Sequence, residues 1–221
     1  MDSKQVKIGV VLSGCGVYDG AEIHESVLTL LAICRHGAEA VCYAPDIRQH
    51  HVVNHLTGDE MKETRNVLVE SARIARGKVT DLAKFKAADV DALVFPGGFG
   101  AAKNLSTFAF DGESCTVIPD VASAIKAMVE ASKPVGALCI APALLAKVLG
   151  NVTLTIGQDL GTATTLQKLG AHHVPSHHAE VVIDRKLKIA TTPCYMLDSS
   201  ISQIADGADN LIKAILELQT Q

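Results

Sequence analysis

The sequence predicts an α/β fold, a doubly wound and mostly parallel sheet with helices on both faces. Three observations lead there. Short apolar runs alternate with segments of helical periodicity along the chain, and that alternation builds a parallel sheet covered on both sides. The first run, Val6 to Leu12, is apolar and β-branched, broken only by Gly9, as a strand buried on both faces reads. The runs stop at turn chemistry: Ser13-Gly14-Cys15-Gly16, Pro45 and Pro96-Gly97-Gly98.

The elements follow in order. Glu22 to His36 places Ile23, Val27, Leu30, Leu31 and Cys34 at helical spacing, and Gly37 closes it. Ala40 to Ala44 is a second strand. Pro45 to Thr64 has no period and reads as a long loop. Asn66 to Arg76 is helical, and Asp81 to Phe85 leads into a short helical piece. Ala92 to Phe95 is the third strand, and Ala101 to Pro119 an irregular insert. Val121 to Ala131 is helical, Pro134 to Leu138 a strand, and Pro142 to Leu149 a helix with proline in its first turn, where the missing N–H costs nothing. Thr153 to Ile156 is strand-like and Ala163 to Leu169 helical. Val181 to Ile183 and Lys188 to Thr191 pair around Asp184-Arg185, and Ser200 to Leu218 is a closing amphipathic helix. No repeat or linker divides the chain, so one domain over residues 1–221 is expected.

Composition narrows the function classes. At 221 residues and 48% hydrophobic, the chain can bury a sizeable core. A formal net charge of -4 argues against a nucleic-acid partner, which calls for a basic face. No apolar run approaches the ~18 residues of a membrane span, so no membrane partner is expected. The start, MDSKQVKIGVV, shows neither a signal-peptide core nor an Arg-rich transit stretch, and a cytoplasmic location is the expectation. The six cysteines form no C-x-x-C pair, which excludes a zinc ribbon by spacing. Doublets such as His50-His51 and His177-His178 point to opposite faces on a strand and make poor ligand pairs. Gly14-x-Gly16-x-x-x-Gly20 imitates a dinucleotide fingerprint, but Asp19, Glu22 and Glu25 put carboxylates where a pyrophosphate would sit. No cofactor and no metal are expected.

One cysteine stands out. Cys139 lies in Gly136-Ala137-Leu138-Cys139-Ile140-Ala141-Pro142, at the join of a buried strand and a helix. A nucleophile elbow needs small residues two before and two after, and Ala137 and Ala141 meet that need. A thiol at a helix start ionises more readily than its reference pKa of about 8.5 suggests. Pro96-Gly97-Gly98 ends a neighbouring strand, where two glycines let backbone N–H groups approach a substrate oxygen. Gly97, Gly98 and Ile140 are therefore the oxyanion-side candidates. Glu22 and Glu25, at the start of the first helix, put a carboxyl group at the same sheet edge. Either one there, if protonated, donates a hydrogen bond to a thiolate; if ionised, accepts a proton from a substrate; or merely complements the helix dipole.

The segments Gly20-Ala21-Glu22-Ile23-His24-Glu25, Phe95 to Leu105 and Cys139-Ile140-Ala141-Pro142 resemble the enhancing-lycopene-biosynthesis proteins, also called glyoxalase ElbB. Thr191-Thr192-Pro193 and Tyr195-Met196-Leu197 match near the other end. That family lies in the PfpI and Parkinsonism-associated-deglycase superfamily, related to class I glutamine amidotransferases. The resemblance implies a flavodoxin-like sheet, Cys139 as the elbow cysteine and Glu25 as its partner. It implies a homodimer and a weak, cofactor-independent glyoxalase reaction on glyoxal or a similar small dicarbonyl. Many superfamily members carry a histidine after the strand that follows the elbow helix; here that stretch is Thr155-Ile156-Gly157-Gln158. His173, in the family's Ala-x-His-Val pattern, is the candidate third member, and His178-Ala179-Glu180 imitates an amidotransferase H-x-E. The alternative is a redox-sensing or chaperone-like homodimer in which Cys139 is oxidised rather than catalytic.

Overall fold

In the computed structural model, which describes residues 5–221, the chain enters the middle of the sheet first. β1 (Lys7–Val11) is followed by α1 (Ile23–Arg35), β2 (Glu39–Ala44), α2 (Val67–Ile74), β3 (Val79–Asp81) and β4 (Ala92–Phe95). Next come α3 (Phe99–Lys103), α4 (Phe108–Asp111), α5 (Pro119–Glu130), β5 (Val135–Leu138) and α6 (Pro142–Leu149). β6 (Thr153–Leu154), α7 (Leu160–Lys168), β7 (His172–His173), β8 (Val182–Asp184), β9 (Ile189–Thr192) and α8 (Ile201–Gln219) complete the chain.

The main sheet has seven strands in the order β3-β2-β1-β4-β5-β9-β8, and β6 pairs with β7 separately. Every main-sheet pairing is parallel except the β8–β9 hairpin. This is the flavodoxin-like, doubly wound arrangement. β1, β4 and β5 are buried on both faces, which is why they read as continuous apolar runs rather than alternating ones. One face packs under α5 and α6 through Ile125, Met128, Leu144 and Leu145. The other packs under α1 and α8 through Ile33, Leu211, Ile212 and Ile215. Among the described residues, no helix is long and apolar enough to cross a membrane.

Winding reverses between β1 and β4, and a crevice opens at such a point beyond the carboxyl ends of the strands. Four strand ends meet there: the Ser13–Gly20 turn after β1, Gly97-Gly98 after β4, Cys139 after β5, and Cys194-Tyr195 after β9.

Three differences from the sequence reading have simple causes. The stretch expected to be irregular from Ala101 holds α3, which begins directly after Gly98, and α4. Gly98 takes φ 93°, so the chain reverses at once into a helix too short to show a period. β3 and β7 run three and two residues, below what alternation reveals. The strand expected over 153–156 stops at Leu154, because Thr155 gives its N–H to the Thr191 hydroxyl at 2.9 Å rather than to a strand partner.

Ile215 locks α8 onto the sheet: a Cβ on Gly136 of β5 would stand 3.0 Å from its Cδ1. Ile215 is fully buried. Ile215→Ala should lower unfolding free energy by about 2–5 kcal/mol, read as a drop in the urea midpoint at unchanged slope.

Candidate active site

Cys139 ends β5 with φ 58°, a left-handed conformation that costs energy in a non-glycine residue and is held here by its neighbours. Its N–H continues the sheet pattern to Thr192 O at 3.0 Å. The chain then turns at once into α6, with Ala137 and Ala141 both fully buried against it. Cys139 itself is 8% exposed, enough for one edge of the thiol to meet a cavity.

Glu25 lies in the first turn of α1 and is fully buried. Its Oε2 accepts the Gly97 N–H at 2.9 Å, its Oε1 accepts the Tyr195 N–H at 3.2 Å, and its carboxyl group hydrogen-bonds the Cys139 thiol. Glu22 has a different task. It caps α1, accepting the Glu25 N–H at 2.6 Å, and its own N–H goes to Gly97 O at 2.9 Å. A Cβ on Gly97 would stand 2.5 Å from Cys139 Cβ and 2.6 Å from Glu25 Oε2, so only glycine fits between nucleophile and acid.

Burial, then the charge of Glu22, pushes Glu25 up to about 8; the Tyr195 N–H, the Cys139 thiol and the Gly97 N–H pull the other way. Burial, then the charge of Glu25, raises the Cys139 thiol well above its ordinary value, against the N–H groups of Gly98 and Ile140. The sequence expectation of a readily ionised thiol is thus corrected, because desolvation outweighs the turn's donors. The pair titrates as a unit. At neutral pH Glu25 is protonated, and the charge that raises the thiol is absent. A proton passing between the two groups leaves the buried net charge unchanged, so it escapes most of the penalty on ionisation to solvent.

Above the thiol is a cavity of about 530 Å³. Val17, Phe99, Phe108, Ile140 and Met196 form its apolar walls, and Glu22, Asp159, Thr162 and Tyr195 its polar ones. Tyr195 serves the site twice: its backbone holds Glu25, and its hydroxyl lies 2.8 Å from His24 Nδ1. A hollow of about 430 Å³ over Arg48, Glu60 and Thr64 is lined by no cysteine among the described residues.

The structure thus brings Cys139, Glu25, Gly97, Gly98 and Ile140 together. Two sequence expectations need correction. Gly97 cannot offer its N–H to a substrate oxyanion, since Glu25 already holds it; Gly98 and Ile140 supply the donors at the sulfur. His173 is not at the cavity: it sits in β7, with Nε2 3.3 Å from the Ile156 N–H. His177 meets Gln158, and His178 meets Ser199, so the apparent H-x-E does not line the cavity either. Tyr195 and His24 were not identified as site residues from sequence. They lie 171 positions apart, and no local pattern announces their contact. Among the described residues, no group of three or more His, Cys, Asp or Glu could hold a metal ion.

A cysteine on the turn after a central parallel strand, with a buried glutamate from the first helix, is the layout of a class I glutamine amidotransferase-like protein. Human glutamine amidotransferase-like class 1 domain-containing protein 3, mitochondrial, is 48% identical over 222 residues, 96% of this chain and 83% of that protein. The zebrafish mitochondrial ES1 protein is 34% identical over 230 residues, 96% of this chain and 85% of that protein. The crystal structure of an Ehrlichia chaffeensis isoprenoid biosynthesis protein with amidotransferase-like domain superposes with TM-score 0.89 at 36% identity, covering 96% of this chain and 99% of that one. Drosophila DJ-1beta, at 18% identity and TM-score 0.57, shares the fold. No family-wide sequence model matches. The chain belongs to the family of the ES1 proteins and glutamine amidotransferase-like class 1 domain-containing protein 3, as the motif resemblance had indicated. The cytoplasmic expectation is overturned: the human and rat relatives are both named mitochondrial. That expectation rested on the first residues, which carry no such information in a chain spanning 83% of its human relative.

The raised Glu25 value fixes a pH dependence. In an unfolded chain this carboxyl titrates near 4.3; folded, near 8. The folded state therefore holds the extra proton between those values. The neutral carboxyl's contribution to stability is complete below about 4.3 and is lost as pH rises through about 8. Glu25→Gln removes that dependence. Urea midpoints of the native protein should fall relative to the variant between pH 5 and pH 8, and a constant difference across that range would contradict the assignment.

Proposed function

We propose that the protein is a cysteine-dependent, cofactor-independent glyoxalase-type enzyme that converts glyoxal or a similar small dicarbonyl to the 2-hydroxy acid. The observation that carries this reading is the hydrogen-bonded Cys139–Glu25 pair beneath the cavity. In molecules whose Glu25 is ionised, a fraction that grows as pH rises toward about 8, the carboxylate takes the thiol proton as Sγ adds to the aldehyde carbon, forming a hemithioacetal. The Gly98 and Ile140 N–H groups face the sulfur and favour charge building beside it. The reaction then moves a proton from that carbon to its neighbour through an enediol, and Glu25 is the buried acid–base group within reach. A protonation equilibrium near neutrality suits both directions of that shuttle. Water then cleaves the resulting thioester and releases the hydroxy acid.

Glutamine hydrolysis fits less well. Among the described residues, no lysine, arginine or histidine lines the cavity to hold an α-carboxylate or to complete a histidine triad. Cys139→Ala and Cys139→Ser should abolish glycolate formation from glyoxal, followed by chromatography; turnover at the native rate in either variant would sink the scheme.

For the partner we propose a second copy of the chain. Ile23, Val27 and Leu31 of α1 are 44%, 46% and 40% exposed at four-residue spacing, an apolar stripe on the helix that carries Glu25. Val27→Lys should shift the protein from dimer to monomer in sedimentation, and a native protein already monomeric at micromolar concentration would exclude the stripe as that contact.

A further inference from the structure

The cavity over Cys139 is poorly matched to the smallest dicarbonyl. Pockets of roughly 300–1,000 Å³ enclose ligands of drug size, and this one measures about 530 Å³. Glyoxal has two carbons and leaves most of it empty. Filling the rest by water would set solvent against Val17, Phe99, Phe108, Ile140 and Met196, where an apolar group gains by displacing it.

Charge points the same way. Among the described residues, the lining contains two carboxyl groups, Glu22 and Asp159, and no basic side chain. Glu22 faces the cavity while it caps α1. Asp159 caps α7 by accepting the Thr162 N–H at 2.7 Å, which favours its ionised form. Lys103, which follows Phe99 in α3, is outside the lining: its ammonium lies 4.8 Å from the Phe99 ring centroid and 3.0 Å from Tyr18 O. An anionic substrate would meet like charge and no partner.

Resting on the glyoxalase-type reading, we infer that the cavity selects uncharged 2-oxoaldehydes bearing a bulky apolar or aromatic substituent over glyoxal, and rejects anionic ones. The aldehyde carbon meets Cys139, the substituent lies against Phe99, Phe108 and Met196, and the inner carbonyl faces the polar wall of Tyr195. The balance needs no external oxidant. R–CO–CHO takes up one water and becomes R–CHOH–COOH. The C–S bond forms at the aldehyde carbon, which rises to the carboxyl oxidation level as the ketone carbon falls to an alcohol. The aldehyde C–H proton moves to the neighbouring carbon, and water breaks the C–S bond and restores the thiol.

The experiment compares kcat/KM for glyoxal, phenylglyoxal and 4-carboxyphenylglyoxal, with products followed by chromatography and Cys139→Ala as the background. One methylene in an apolar pocket discriminates roughly 10–200-fold, so phenylglyoxal should exceed glyoxal by at least about tenfold. The carboxylated analogue should lose most of that advantage. Phe108→Ala should lower the phenylglyoxal-to-glyoxal ratio, and Asp159→Asn should raise the carboxylated-to-parent ratio. Ratios within one protein are insensitive to the fraction that folds. Turnover of glyoxal with no preference for phenylglyoxal, or equal rates for the carboxylated analogue, would overturn this inference and leave the glyoxalase-type reading standing. Absence of hydroxy acid from every substrate would overturn both.

Discussion

The site depends on one buried hydrogen bond, between the Glu25 carboxyl group and the Cys139 thiol. A carboxyl group with no exposure is tolerated only if its acceptors are satisfied or its proton is kept. Here both conditions operate. Gly97 and Tyr195 supply N–H groups from two different strand ends, and burial keeps the proton in place to about pH 8. Satisfying that one side chain therefore ties together α1, the turn after β4 and the turn after β9. Gly97 has no room for a side chain because it is the spacer between acid and nucleophile. Cys139 holds a left-handed backbone on the turn that presents its sulfur to Glu25 and the cavity.

The chemistry follows from proton placement rather than from a low thiol pKa. A thiol lifted by burial is unreactive toward solvent-borne electrophiles when it must ionise alone. Once Glu25 has lost its own proton, the thiol proton has a local destination, and the buried charge merely relocates. This favours reactions whose steps hand one proton back and forth, such as isomerisation of a hemithioacetal. It is less suited to peroxide sensing, which relies on a standing thiolate.

Much of the site was legible because its signals are contiguous. Ala137 and Ala141 around Cys139, and Gly97-Gly98 at a strand end, are local demands of backbone geometry, and local demands are written locally. Glu22 and Glu25 were legible as a pair but not separable, since both sit at one helix start. Tertiary packing divides them: Glu22 turns back to cap its helix, and Glu25 turns inward. What was not legible depends on distant segments. The direction of the thiol's shift reflects desolvation by the whole fold. The commitment of the Gly97 N–H requires α1 to be in place. Tyr195 and His24 meet across the sheet edge, and His173 is drawn instead to the backbone of residue 156, beside the small β6–β7 sheet. In the fold, long buried strands were plain, while two- and three-residue strands exist only through their partners.

The absence of a histidine from the lining sharpens what this centre can do. In a cysteine–histidine pair, the imidazole takes the thiol proton and leaves a separated ion pair, which then needs further support. In the cysteine–glutamate pair the same transfer converts a carboxylate and a thiol into a carboxylic acid and a thiolate, with one negative charge before and after. The low-dielectric setting raises the strength of every hydrogen bond to that charge, and Gly98 and Ile140 are placed at the sulfur to supply them. Tyr195 lines the cavity, and its hydroxyl meets His24 Nδ1. A centre so arranged moves protons between neighbouring atoms of one bound molecule more readily than it expels an amine into water. That economy of charge is set by a single buried glutamate, Glu25.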